Sequence, residues 1–117
     1  MKTETIAFPT LNEPVTFYIG SSQQENHDVI AVGKPDDLWF HLADMSSAHV
    51  VAILPMIKIT RKQRGSIIRR GAYLCKIHTA KAASLSSVSV TYSTIKYVTP
   101  TSIPGSVLVR EAHEITV

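Results

Sequence analysis

At 117 residues the chain has the length of one domain, and an apolar content of 44% is enough for one core but leaves no material for a second. A single cysteine, Cys75, excludes an internal disulfide framework and a multi-cysteine zinc site, so a cytoplasmic setting is expected. The net charge of +3 excludes little, but its distribution is uneven: ten of the twelve basic residues lie between Met45 and Arg110, and seven of the nine acidic ones lie within the first 44 positions. Opposed surfaces follow from that asymmetry, one of them suited to a polyanion. The N-terminal residues lack the apolar run of a secretory signal. The longest apolar candidate, Ala48 to Ile59, is broken by Pro55 and carries Lys58, so no membrane partner is expected.

In chain order, residues 1–14 hold Pro9 and Pro14 and read as a loose N-terminal arm or an edge strand. Val15 to Ile19 is the first clear strand, closed by Gly20-Ser21-Ser22. Glu25 to Val32 has the signals of a short helix, with Ser22 as cap, Glu25 three residues on, and Gly33 and Pro35 as stops. Leu38 to Leu42 has the aromatic content of a buried strand. Turn chemistry follows through Asp44, Ser46 and Ser47, and His49 to Leu54 makes a second strand that ends at Pro55. If the two strands pair, His41 and His49 lie together near the turn end.

Ile59 to Ser84 is the long helical candidate, with Thr60 as a possible N-cap. At roughly 100° per residue Ile67, Ile68, Gly71, Leu74, Cys75, His78 and Ala82 share a core face, while Lys62, Arg69 and Lys76 form an outer stripe with Tyr73 beside it. Gly65 is the expected true start, which leaves Lys58 to Arg64 as a basic loop. The C-terminal third is strand material: Val88 to Tyr92 alternates with period two, Tyr97-Val98 is expected to extend the sheet, Pro104-Gly105 is a turn, and Val107 to Val109 and Ile115 to Val117 complete it. The expected architecture is α+β: a mixed, mostly antiparallel sheet with one long and one short helix.

Lys58, Arg61, Lys62, Arg64, Arg69, Arg70, Lys76 and Lys81 form a cationic tract without a carboxylate among them, which suits phosphates. The plain alternative is a solvated face. Basic residues at the start of a helix oppose its dipole, and a purely structural helix has no use for them there. Tyr73, and less clearly Tyr92 and Tyr97, are the aromatics available to stack on unpaired bases, for which simple packing is the competing account. His41, His49 and Asp37, with Asp36 and Asp44 nearby, are the one constellation suited to acid-base or metal chemistry, though their spacing fits no metal motif. Cys75 reads as a small core residue. Neither a Gly-x-Ser-x-Gly nucleophile turn nor a glycine-rich phosphate loop occurs, so no catalytic activity and no cofactor are expected.

The order Gly20, Glu25-Asn26, Asp37-Leu38-Trp39-Phe40-His41 and Ser47-Ala48-His49-Val50 resembles the signature of the NFACT-R family, and the Ser-Ser-Ala-His-Val form resembles its free-standing eukaryotic members. Val88 to Ser93, Lys96-Tyr97-Val98 and Pro104 to Val107 fall in the family's order. The resemblance runs from about Phe17 to the C-terminus. It gives Asn26, Asp37, Trp39, His41 and His49 weight as signature positions. It also implies RNA binding, to tRNA or rRNA, in translation or ribosome quality control, with the ribosome as a partner of the larger members. DNA is the alternative polymer that the free-standing members would allow, and a small enzyme or metal site at His41, His49 and Asp37 is the alternative of another class.

Overall fold

A computed structural model describes all residues from Met1 to Val117. Its frame is a six-stranded sheet made of β1 (Lys2–Ile6), β2 (Val15–Gly20), β4 (His49–Ile53), β3 (Leu38–Leu42), β5 (Ser89–Thr94) and β8 (His113–Thr116), in that spatial order. Every neighbouring pair is antiparallel. Helix α1 (Gln23–Val32) follows β2 and helix α2 (Arg61–Ile77) follows β4, so the α+β architecture with one short and one long helix is the one expected.

Alternation along the strands divides the interior into two cores. Val15, Phe17, Ile19, Leu38, Phe40, Leu42, Val50, Ala52 and Val90 point to one face, where α2 covers them with Ile67, Ile68, Ala72, Leu74 and Cys75. Trp39 and Val51 point to the other, where α1 supplies Val29 and Ile30 and the chain after β5 supplies Val98. That second cover is a separate ribbon of β6 (Val98–Pro100) and β7 (Val107–Val109), reached through a 3₁₀ turn at Ile95–Tyr97 and closed near Gly105 at φ 79°. Tyr97-Val98 therefore does not extend the main sheet as expected. Ile95 and Lys96 donate their main-chain N–H groups to the Asp37 and Pro35 carbonyls, and this turns the chain off the sheet onto its other face.

The N-terminal segment is an edge strand and not a loose arm. Lys2 to Ile6 pairs in register with Ile19 to Val15, the Met1 ammonium lies 2.7 Å from the Glu25 carboxylate, and Phe8 and Leu11 pack on the first core. A free edge on β2 and the packing of Ile6, Phe8 and Leu11 on the first core outweigh the two prolines.

Helix α2 begins four residues before Gly65. Thr60 accepts from the Gln63 N–H, and the Gln63 side chain accepts in return from the Thr60 N–H, a capping box that secures the first turn. Arg61, Lys62 and Arg64 are thus helical, and only Lys58 remains in the preceding loop. The far end comes earlier than expected, at Ile77. Thr79 Oγ1 donates to the Cys75 carbonyl and accepts from the Ala48 N–H, tying the chain down before Ser84. His78, expected on the core face, turns instead to Glu4, with Nε2 2.9 Å from the carboxylate.

Two glycines in α2 have opposite roles. A Cβ on Gly71 would meet the Phe40 ring at 2.3 Å, so this glycine lets helix and sheet approach, whereas a Cβ on Gly65 would meet nothing within 4 Å. Gly71→Ala is expected to cost about 1–3 kcal/mol through overpacking. Gly65→Ala should add about 0.5–1 kcal/mol by removing unfolded-chain freedom. Urea unfolding of the two variants checks both, and equal effects would refute the assigned packing.

Candidate functional site

Asn26, Trp39, His41 and His49 converge, but into a network that holds the fold together. Trp39 Nε1–H donates to His49 Nδ1 at 3.2 Å, and the His49 main-chain N–H donates to Asn26 Oδ1 at 3.2 Å, joining β3, β4 and α1. Gly20 allows the last link: a Cβ there would lie 2.8–2.9 Å from the main chain of Glu25 and Asn26. His41 lies beside this group, stacked on Trp39 at 5.9 Å between centroids and edge-on to His49 at 4.8 Å.

Asp37 does not join the histidines. Its carboxylate is buried and accepts from the Lys34 N–H at 2.7 Å and the Leu54 N–H at 2.9 Å, with the Lys34 ammonium 3.2 Å away. The acid-base constellation read from the sequence is therefore not assembled: Asp37 ties the turn before β3 to the end of β4. Asp36 pairs with Lys96 at 3.0 Å on the surface. No three His, Cys, Asp or Glu side chains are placed to hold one metal ion. Burial pushes the Cys75 thiol up to about 12, and its Sγ–H donates to the Ala48 carbonyl, so it behaves as the core residue expected.

The cationic tract occupies the opposite side of the sheet. Along α2 the six core residues define the inner face, and Lys62, Arg69 and Lys76 with Tyr73 line the outer one. Lys62, Arg69, Arg70 and Tyr73 are exposed and Lys76 is half-buried. Arg61 is exposed at the first turn. Lys58 and Lys81 flank the two ends, Lys81 beside a separate cavity that it shares with Ser21, Asn26 and Ser47. None of the eight cations forms an ion pair, because the acidic side chains that pair do so elsewhere: Glu4 with His78, Glu25 with the N-terminus, Asp36 with Lys96 and Asp37 with Lys34.

Arg64, expected in a basic loop, joins the helix but not its outer stripe. With the helix beginning at Arg61, it falls on the sheet side of the first turn and lines a cleft of about 220 Å³ with Tyr92, Thr94, Lys96, Tyr97, Glu111 and His113. Tyr97 is flanked by Lys96 Nζ at 5.5 Å and the Arg110 guanidinium at 5.6 Å from its ring centre. Thr94 Oγ1 is buried there without a partner. Lys96 enters the sequence reading only through the family's order, and neither it nor Arg110 is expected there as a site residue. Their isolation from the main tract hid them, and the one available signal was the adjacency of Lys96 to Tyr97.

Burial lowers the His49 pKa to about 3, the neighbouring His41 and His27 adding to the effect, and burial lowers that of His41 as well. A folded-state value below the unfolded one means that the unfolded chain binds more protons in acid. The stabilisation is complete above the ordinary value of 6.5 and is lost as pH falls toward 3. Unfolding free energy should therefore drop by a few kcal/mol over that interval. Urea titrations at several pH values, with the His49 ring followed by NMR, check this. Protonation of His49 near 6.5 in the folded protein would refute the buried network.

No family model matches the sequence. Coiled-coil domain-containing protein 25 from Mus musculus is 32% identical over 78 residues, 67% of this chain and 38% of that protein. The Danio rerio protein is 28% identical over 83 residues, 71% of this chain and 40% of its own length, and the Dictyostelium discoideum homolog is 30% identical over 86 residues, 74% and 42%. The chain thus spans well under half of these relatives. The solved structure of the C-terminal part of the fibronectin/fibrinogen-binding protein from Streptococcus suis superposes with a TM-score of 0.76 at 21% identity, over 97% of this chain and 43% of that one, a likeness of fold. Over roughly 70% of its length, the chain is homologous to coiled-coil domain-containing protein 25.

Proposed function

We propose that the chain is a non-catalytic nucleic-acid-binding domain of the NFACT-R type, and that its polymer is RNA. The observation that carries this reading is the outer face of α2, where Lys62, Arg69, Arg70 and Lys76 stand free of carboxylates around the exposed ring of Tyr73. Unpaired cations spread along a helix of 17 residues, roughly 25 Å, match the repeating charge of a phosphate backbone. A structural helix would gain by pairing some of them with the acids present in the chain. Arg61 and Arg64, at the helix end where a positive charge is least favoured, support the same partner.

The cleft beside the first turn adds aromatic surface. Tyr92, Tyr97 and His113 with Arg64 and Lys96 offer rings and cations together, which favours single-stranded or looped RNA over duplex DNA. Glu111 on the same wall disfavours a phosphate at that spot, so phosphates are assigned to α2 and bases to the cleft. Resemblance to NFACT-R supports tRNA or rRNA as the species, a cytoplasmic setting and a place in translation. Action in ribosome quality control would involve parts beyond this domain.

Charge reversal of Arg69 and Arg70 together tests the surface. RNA affinity should fall at least tenfold at moderate salt, and the slope of log affinity against log salt should shrink by about 2. Matched RNA and DNA, titrated in the same buffer, decide which polymer is preferred. A folded double variant that binds RNA like the parent would remove α2 as the interface.

A further inference from the structure

On the sheet face away from α2, a cavity of about 340 Å³ lies between the β3–β4 turn end and the β6–β7 ribbon. Trp39, His41, His49, Thr91, Val107 and Val109 are among its walls. Gly105 and Ser106 form its roof, held to α1 where His27 Nε2 sits 3.1 Å from both the Gly105 N–H and the Ser106 carbonyl.

The two histidines on the wall have their protons assigned by their partners. Trp39 Nε1–H can only donate, so His49 Nδ1 is the acceptor, and the neutral ring carries its hydrogen on Nε2. The Leu42 carbonyl can only accept, so His41 Nδ1 at 2.5 Å carries the hydrogen and Nε2 keeps a lone pair. Neither Nε2 has a hydrogen-bond partner in the protein, although His49 is only 1% exposed. Burial keeps both rings neutral near pH 7. Both rings line the cavity, so its wall holds one fixed donor and one fixed acceptor and no charged side chain.

We infer that this cavity takes a single unpaired nucleobase, with His49 Nε2–H donating to a ring nitrogen or carbonyl and His41 Nε2 accepting from the neighbouring N–H of its Watson–Crick edge. The inference rests on the nucleic-acid reading but concerns a different face of the sheet. Phosphate and carboxylate are disfavoured by the His41 lone pair and by the absence of a cation on the wall. A trans peptide bond directs its N–H and C=O to opposite sides, whereas every base carries a donor beside an acceptor on one edge. Duplex pairing occupies that edge, so the cavity selects unpaired nucleotides. A strand gripped on α2 would have to pass around the edge of the sheet to place a base here.

The test is an NMR titration of the intact chain with adenosine and uridine, following the His41 and His49 ring resonances. A small blocked peptide amide serves as a parallel titrant. Shifts at both rings with a nucleoside and none with the amide are expected. His41→Phe, which removes the acceptor and keeps a flat ring, should reduce the preference for single-stranded over duplex RNA by about tenfold while leaving duplex affinity unchanged. Unmoved ring resonances at saturating nucleoside, or shifts with the amide alone, would overturn the assignment, and the wild-type titration needs no variant to fold. The Arg69 and Arg70 double reversal separates the two readings: it should weaken polymer binding at least tenfold and leave the nucleoside shifts as they were.

Discussion

The hydrogen bonds at His49 are the constraint on which the rest of the structure depends. One bond through its main chain draws Asn26, and so α1, against the start of β4, and one through its ring holds the indole of Trp39 on β3. The imidazole is buried and neutral, so both bonds are made in a dry setting where a lost partner leaves a polar group unsatisfied. Gly20 follows from the same contact, since β2 must pass the first turn of α1 at a separation no side chain allows. The resemblance signature is thus explained as one connected piece of structure: Gly20, Asn26, Trp39 and His49 serve a single junction, and Asp37 serves the turn beside it.

The sheet keeps two chemistries apart. Its α2 side is charged, with lysine and arginine exposed to solvent and the tyrosine cleft at the helix start. On its α1 side the imidazoles of His41 and His49 line a cavity without charged side chains under the β6–β7 ribbon. Polyanion attraction acts over a Debye length of about 8 Å or more, whereas base-edge recognition acts only at hydrogen-bond contact. Under the proposed function, this division pairs a long-range gripping surface with a short-range reading site. Chain acidity is arranged to match: the pairing carboxylates are drawn to Lys34, Lys96, His78 and the N-terminus, which leaves α2 unshielded.

Local rules carried much of the fold. Ser22 capped α1 as its spacing with Glu25 suggested, the alternation in Val15 to Ile19 and Val88 to Tyr92 marked strands, and the core face of α2 followed from its period apart from Ala72 and the residues beyond Ile77. Gly65 misled because its propensity cost is local, while the Thr60–Gln63 capping box and the packing of Ile67 and Ile68 outweigh it. Asp37 misled for a related reason: a carboxylate three residues from a lysine and beside an aromatic strand looks equally like a catalytic acid and like a turn clamp. Only the positions of the Lys34 and Leu54 N–H groups settle which it is.

By itself the sequence determined the class of architecture and the cationic character of the long helix, because these depend on period, charge and residue type along a contiguous stretch, whereas the residues that meet at the junction were marked only by the family resemblance. Tertiary structure alone decided that α2 and the histidines lie on opposite faces, that Arg64 lines a cleft with Tyr92 and Tyr97, and that His41 and His49 line one cavity. Those facts depend on strand order and on hydrogen-bond partners 10 to 28 residues apart or more, such as Trp39 with His49 and Ser47 with Cys75. No local pattern encodes which of two faces a strand will turn toward which helix.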